Sequence, residues 1–192
     1  MTQDQPDRLG SSGDLEQEIE RLRGEVARLE QKVGHLDRLA HEDSLVPLPN
    51  RRGFMRQLES LIHRVNRYGE TAALLFIDID GLKMINDSFG HPAGDEALIR
   101  VSKLLQGGVR ASDCVARIGG DEFAVLLEHA QEASARETAA RLGDEVARCG
   151  MTQDGAELPL GIAVGVAMIR PDDQAEDVIA RADAEMYRAK GG

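Results

Sequence analysis

The sequence predicts an α/β fold: a mixed sheet with an antiparallel hairpin, flanked by helices and preceded by a long coiled-coil helix. Three observations carry this. After residue 43, apolar runs of strand length alternate with amphipathic stretches of helix length. One pair of runs, "CVARI" and "FAVLLE", is separated only by "GGDE", a spacing that calls for antiparallel pairing. Before residue 43, apolar residues recur in strict steps of four and three.

The elements follow in chain order. Residues 1–13 are polar and glycine-containing and are expected to be disordered. Residues 14–42 read as a dimerisation helix. Ile19, Val26 and Val33 occupy a positions, and Leu15, Leu22, Leu29 and Leu36 occupy d positions. β-branched a residues with leucine at d favour a parallel two-stranded coiled coil. Across the seam Glu18–Arg23 and Lys32–Asp37 attract, whereas Glu25–Glu30 repels. Gly24 and Gly34 fall on outer positions, each costing about 1 kcal/mol of helix propensity. An amphipathic helix lying on its own domain is the alternative; the narrow a/d stripe favours the coil.

Pro47 and Pro49 stop that helix in a hinge, "EDSLVPLPNRRGF". Asn50 can cap the next helix, which turns Phe54, Leu58, Leu61, Ile62 and Val65 inward. "TAALLFIDID" is a continuous apolar run ending in carboxylates, the pattern of a central strand buried on both faces. "LKMINDSFGHPAGDEALIRVSKLL" reads as a short helix, a glycine turn and a longer helix. After the hairpin come a helix over 131–149, the buried strand "LGIAVGVAMI" and a closing helix "AEDVIARADAEMYRAK".

At 192 residues the chain can bury a core without disulfide or metal staples. A net charge of −11 argues against a nucleic-acid groove or an anionic membrane surface, and an acidic protein handling a polyanion needs a cation to do so. Cys114 and Cys149 lack metal-ligand spacing and read as reduced thiols. The N-terminus is not a signal peptide, and no apolar run approaches the roughly 18 residues of a membrane span, so a cytoplasmic location is expected.

Asp78 and Asp80 end the buried strand, while Asp121 and Glu122 crown the hairpin turn. An aspartate at a strand end most often caps a helix or binds a loop amide. Two acidic pairs are different: if the hairpin lies beside the first strand, Asp78 and Asp121 converge and repel unless a cation neutralises them. Oxygen-only ligands suit Mg²⁺, which takes much of its shell from water and substrate phosphates. Gly119 and Gly120, without Cβ atoms, would let a flat ligand and its phosphates approach the backbone.

"GGDEF" at 119–123 resembles the signature of the GGDEF family of diguanylate cyclases. "DSLVPLPNRR" is similar to the family's D-x-L-T-x-L-x-N-R-R, with Val46 in the threonine position. "DIDGLKMINDSFGHPAGDEAL" is similar to D-x-D-x-F-K-x-x-N-D-x-x-G-H-x-x-G-D-x-x-L, with Leu82 in the phenylalanine position. The resemblance covers residues 43–190 and implies a nucleotidyl-cyclase or polymerase-palm-like fold for 43–192. It implies condensation of two GTP into cyclic di-GMP and two pyrophosphates, across the interface of a homodimer held by the coiled coil. Asp78, the Ile79 carbonyl and Asp121 would hold two Mg²⁺ ions per site, with Mn²⁺ as the alternative. Glu122 would help deprotonate the attacking 3′-hydroxyl, or serve as a metal ligand. Asn86 and Asp95 would read guanine, Lys83 and Lys190 would contact phosphates, and the backbone of Gly81 and Leu82 would line the phosphate cradle. Without the motif, either lysine would be read as a solvated surface charge.

"RASD", Arg110 to Asp113, precedes Gly119 with five residues between, the spacing of the family's R-x-x-D site for inhibitory product. By itself R-x-x-D usually marks an exposed salt bridge. "GIAVGVA" at 161–167 lacks the hydroxyl residues common in the matching family strand, and the sequence ends where many relatives carry a further basic residue. A catalytically silent, nucleotide-sensing GGDEF module and a dimerising adaptor are the rival readings. Intact Asp78, Asp121, Glu122, Asn86 and Asp95 favour the enzyme.

Overall fold

The computed structural model describes residues 12–153 and 155–191. The chain divides into two units, one ending at Ala40 and one beginning at His41. The first contains most of α1 (Ser12–His41), a single uninterrupted helix. Residues 1–11 of the segment expected to be disordered lie outside the described residues. Ser12 and Gly13, also placed in that segment, are helical, because the backbone ladder can extend a turn beyond the first apolar residue. The a/d residues Leu15 to Leu36 are 46–64% exposed along α1.

The second unit carries α2 (Arg51–Tyr68), β1 (Ala72–Asp80), α3 (Leu82–Phe89), α4 (His91–Gly107), β2 (Cys114–Arg117) and β3 (Glu122–Glu128). Then come α5 (Glu132–Cys149), β4 (Met151–Gln153), β5 (Ala156–Leu158), β6 (Gly161–Ile169) and α6 (Ala175–Lys190). Asn50 caps α2 as its position suggests: its Oδ1 accepts the amides of Arg52 and Gly53 at 2.9 and 3.0 Å. All five residues expected on the inner face of α2 are buried.

The main sheet has the order β2-β3-β1-β6, and each of its three seams is antiparallel. The expected α/β class, with its antiparallel hairpin and flanking helices, holds; the sheet differs only in being antiparallel at every seam where mixed pairing is expected. The helical crossovers that suggested parallel pairing are present, but each straddles another strand. β1 and β2 run the same way with β3 between them, and β3 and β6 run the same way with β1 between them. The result is a pair of interlocked split βαβ units. Helices cover both faces, which explains the unbroken apolar run of β1. Leu74 and Phe76 share one core with residues of α2 and α6; Leu75, Ile77 and Ile79 share the other with residues of α4 and α5. The β4–β5 hairpin was not anticipated; Gly155, at φ +82°, lies between its strands.

The glycine of "AVGVA" has a packing reason. A Cβ at Gly165 would lie 2.0 Å from the Ala182 carbonyl oxygen and 2.4 Å from the Met186 amide nitrogen, both backbone atoms of α6. α6 therefore sits directly on β6 at this point. Gly165→Ala is expected to cost about 1–3 kcal/mol by overpacking, measurable as a lower urea midpoint with an unchanged slope.

Candidate active site

The sheet brings the two acidic pairs together. Asp78, near the end of β1, is the cross-strand partner of Glu122, the first residue of β3. The Ile79 amide donates to the Asp121 carbonyl at 3.0 Å, so the hairpin turn is fastened to the end of β1. Within the turn, the amides of Ile118 and Gly119 both donate to the Glu122 carbonyl, at 2.9 and 3.3 Å. Gly119 also makes room for the Glu122 side chain: a Cβ there would lie 2.2 Å from Glu122 Oε2. The closing helix contributes a cation, with Lys190 Nζ 2.5 Å from Asp78 Oδ1.

The electrostatics are those of an acidic cluster short of positive charge. Burial pushes the Asp78 carboxyl above its ordinary range, with Asp121 and Asp80 adding to the shift against the Lys190 hydrogen bond. Burial, then Asp121 and Asp78, raises Glu122, while Arg51 pulls it down. Lys190 is raised: burial is the largest single influence and opposes its charge, but the Asp78 hydrogen bond together with the attraction of Asp78, Asp80 and Asp121 outweighs it. Among the described residues, no group of three or more His, Cys, Asp or Glu side chains is drawn close enough to hold a metal ion. The donor chemistry nonetheless fits a hard divalent cation, since the groups at this sheet end are carboxylates and carbonyls, and Lys190 at Asp78 and Arg51 at Glu122 leave both carboxyls raised.

A cavity of about 490 Å³ opens beside the turn. Leu82, Lys83, Asn86, Asp95, Gly120 and Asp121 line it, so six of the residues singled out in the sequence meet at one site. Gly81, at φ +70°, begins α3 with no side-chain cap, leaving the first backbone amides of that helix available beside the cavity. Glu122 instead borders a second cavity of about 520 Å³ with Arg51, Phe76 and Asp183.

The pattern "Diguanylate cyclase, GGDEF domain" matches residues 40–192. The chain belongs to the GGDEF family. Among curated relatives, the GGDEF chain is 38% identical over 177 residues to the diguanylate cyclase TpbB of Pseudomonas aeruginosa, covering 90% of this chain and 40% of TpbB. It is 36% identical over 169 residues to the probable diguanylate cyclase DgcE of Escherichia coli, covering 88% of this chain and 15% of DgcE. It thus spans two-fifths or less of the length of these relatives. Among solved structures, the coiled coil and GGDEF domain of DgcB from Caulobacter crescentus, in complex with c-di-GMP, superposes with a TM-score of 0.87 at 27% identity, covering 93% of this chain and 95% of that one. Diguanylate cyclase SiaD, in complex with its activator SiaC from Pseudomonas aeruginosa, gives 0.76 at 29% identity, covering 95% and 73%.

Two features of this GGDEF domain were not legible in the sequence. The first is a link between its two motifs. Arg117 donates from NH1 to Asp43 Oδ1 at 3.1 Å and from NH2 to the Gly120 carbonyl at 2.8 Å, while its amide donates to the Pro49 carbonyl at 3.0 Å. Asp43 also accepts the amides of Leu45 and Val46, and these bonds with Arg117 hold its carboxyl below the usual range despite burial. The loop after α1 and the GGDE turn are therefore held by one guanidinium. Arg117 directly precedes the turn and Asp43 opens the other motif, but nothing in their spacing says that they touch. The second is the place of His91: it stands at a fixed position of the motif, but only the structure puts it on the wall of the 490 Å³ cavity with Asn86 and Asp95.

Arg110 and Asp113 lie apart from this cluster, at the other end of the β2–β3 hairpin. They line a cavity of about 300 Å³ that also includes His129 and Arg141. The Arg110–Asp113 salt bridge that R-x-x-D by itself would suggest is not among the described ion pairs. The Asp113 carboxylate accepts backbone amides instead, from Arg110 at 2.9 Å and Glu128 at 3.1 Å. These bonds organise the turn, and Arg110 is exposed.

No helix among the described residues is long and apolar enough to cross a membrane.

Proposed function

We propose that this chain is a diguanylate cyclase, joining two GTP molecules into cyclic di-GMP with release of two pyrophosphates. The observation that carries the reading is the meeting of Asp78, Asp121 and Glu122 at one sheet end, beside a cavity bearing Asn86 and Asp95. In each half-reaction a 3′-oxygen forms a bond to the α-phosphorus of the other GTP. The bond from that phosphorus to the bridging oxygen breaks, and pyrophosphate leaves.

The chain's own groups fit this chemistry. The Asn86 amide and Asp95 carboxylate suit guanine's edge, whose N1–H and N2–H₂ are donors. Lys83, Lys190 and the uncapped start of α3, with the backbone of Gly81 and Leu82, suit the triphosphate. The glycines at 119 and 120 keep side chains out of the approach to the turn. Glu122, its basicity raised by burial and by neighbouring carboxylates, is suited to take the proton of the 3′-hydroxyl. Asp78, the Ile79 carbonyl and Asp121 are the residues that would hold Mg²⁺, two ions per site, or Mn²⁺ in its place. When bound, such ions neutralise charge on the α-phosphate and the departing pyrophosphate.

Each domain holds one GTP, so catalysis needs two domains facing each other. The exposed a/d stripe of α1 suits a parallel coiled coil with a second copy, which would keep two sites at high local concentration. Residues 14–42 are accordingly assigned as the dimerisation helix, and 43–192 as the cyclase domain. Incubation of the full chain with GTP and Mg²⁺ tests the reading. Cyclic di-GMP and pyrophosphate are the expected products, and their absence at micromolar protein would leave a nucleotide-binding module as the reading.

Product feedback through Arg110 and Asp113 belongs to the same proposal. The exposed Arg110 guanidinium beside a walled cavity suits guanine's Hoogsteen edge and phosphate. Arg110→Ala should remove non-competitive inhibition by cyclic di-GMP while preserving the initial rate. Retained inhibition would assign "RASD" a purely structural role as the turn that Asp113 organises.

A further inference from the structure

We infer that Gly94 is a positioning residue for guanine selection: lacking a side chain, it gives the Asn86 amide its seat on the first turns of α4. The inference rests on the reading of Asn86 as a guanine contact. A Cβ built at Gly94 would lie 2.1 Å from Asn86 Oδ1, 2.8 Å from Cγ and 3.1 Å from Nδ2. The whole terminal group of one side chain therefore occupies the space a methyl group would fill. Both residues line the 490 Å³ cavity, and Asp95, the second candidate guanine contact, is Gly94's chain neighbour.

The backbone supplies no competing reason for glycine at this position. Gly94 lies inside α4 and is buried, and it is not among the glycines of positive φ, unlike Gly90 at φ +83° in the turn before it. Any L residue could adopt its conformation, and alanine is the better helix former. A glycine here works against the helix and in favour of the Asn86 amide. Because Asn86 is only half-buried at the cavity wall, it can rotate away from an introduced methyl group without unfolding the domain. The displaced amide would then no longer face the nucleotide beside Asp95.

The geometry sets opposite signs for stability and binding. Gly94→Ala should fold with a thermal midpoint equal to or above that of the parent, yet bind GTP about tenfold more weakly, the scale of one lost amide–base pair of hydrogen bonds. A double-mutant cycle separates this from a general packing defect. Full-length chains carrying the turnover-blocking Glu122→Gln change would be titrated calorimetrically with GTP and Mg²⁺, as the parent, Asn86→Ala, Gly94→Ala and the double variant. The expected result is that the double variant binds no worse than Asn86→Ala alone. Parent-like binding by Gly94→Ala, additive losses in the double variant, or a Gly94→Ala chain that fails to fold would each overturn the inference, since each requires that Asn86 does not yield to the methyl group. Parent-like binding by Asn86→Ala would overturn the guanine-contact reading itself, and this inference with it.

Discussion

Glu122→Gln should eliminate cyclic di-GMP formation while leaving the fold unchanged. The substitution is nearly isosteric and keeps the turn in which the Glu122 carbonyl accepts the amides of Ile118 and Gly119. It removes the only group at this position that can take a proton. Loss of a positioned general base costs about 10²- to 10⁴-fold, and a role as metal ligand would add to that. Asp78→Asn should fail as completely, and extra Mg²⁺ should rescue it poorly, because an amide cannot neutralise the charge that the carboxylate offsets. The measurements are product yield by chromatography and thermal midpoint, made on the same preparations. A Glu122→Gln chain of full activity would sink the assigned role, and a collapsed midpoint would convict the fold instead of the chemistry.

The second large effect is expected in α1. Leu22 and Leu29 are d residues, each 46% exposed, and charged residues there would have to be desolvated in a paired seam. Replacing both with glutamate should lower specific activity more than tenfold at nanomolar protein and far less at tens of micromolar. Mass action requires this if the helix only raises the encounter frequency of two domains, since a short tether supplies an effective concentration in the millimolar range. Gel filtration should show the parent as a dimer and the variant as a monomer at the dilute end. A defect of equal size at every concentration would mean that α1 sets the relative geometry of the domains.

Much of the candidate site is legible in the amino-acid sequence. Paired carboxylates at a strand end and a glycine turn single out Asp78 and the GGDE turn, and the resemblance to the family's motifs adds Asn86 and Asp95; of these groups Asn86, Asp95, Gly120 and Asp121 line the 490 Å³ cavity. The partition of the acidic pair is not legible there. Asp121 borders that cavity, whereas Glu122 borders the one shared with Arg51 and Asp183. Successive residues entering a strand point to opposite faces, so two adjacent carboxylates serve different spaces. Which space each serves depends on which helices pack there. The contact of Lys190 with Asp78 spans 112 residues, and that of Arg117 with Asp43 spans 74; no local pattern encodes either.

Local sequence dictates the secondary structure and its punctuation: the Asn50 cap, the turn at Gly90, the GGDE hairpin, and the apolar faces of α2 and β1. These depend on periodicity and on the conformational limits of single residues, which act over a few positions. The strand order β2-β3-β1-β6 arises only in three dimensions. Helical crossovers are compatible with adjacent parallel strands or with strands split by a third, and the local pattern is the same for both. Burial of the two faces of β1, under α2 and α6 on one side and α4 and α5 on the other, settles the matter. The same burial sets Asp78 opposite Glu122, so the acidic cluster is a product of the core's packing rather than of any single motif.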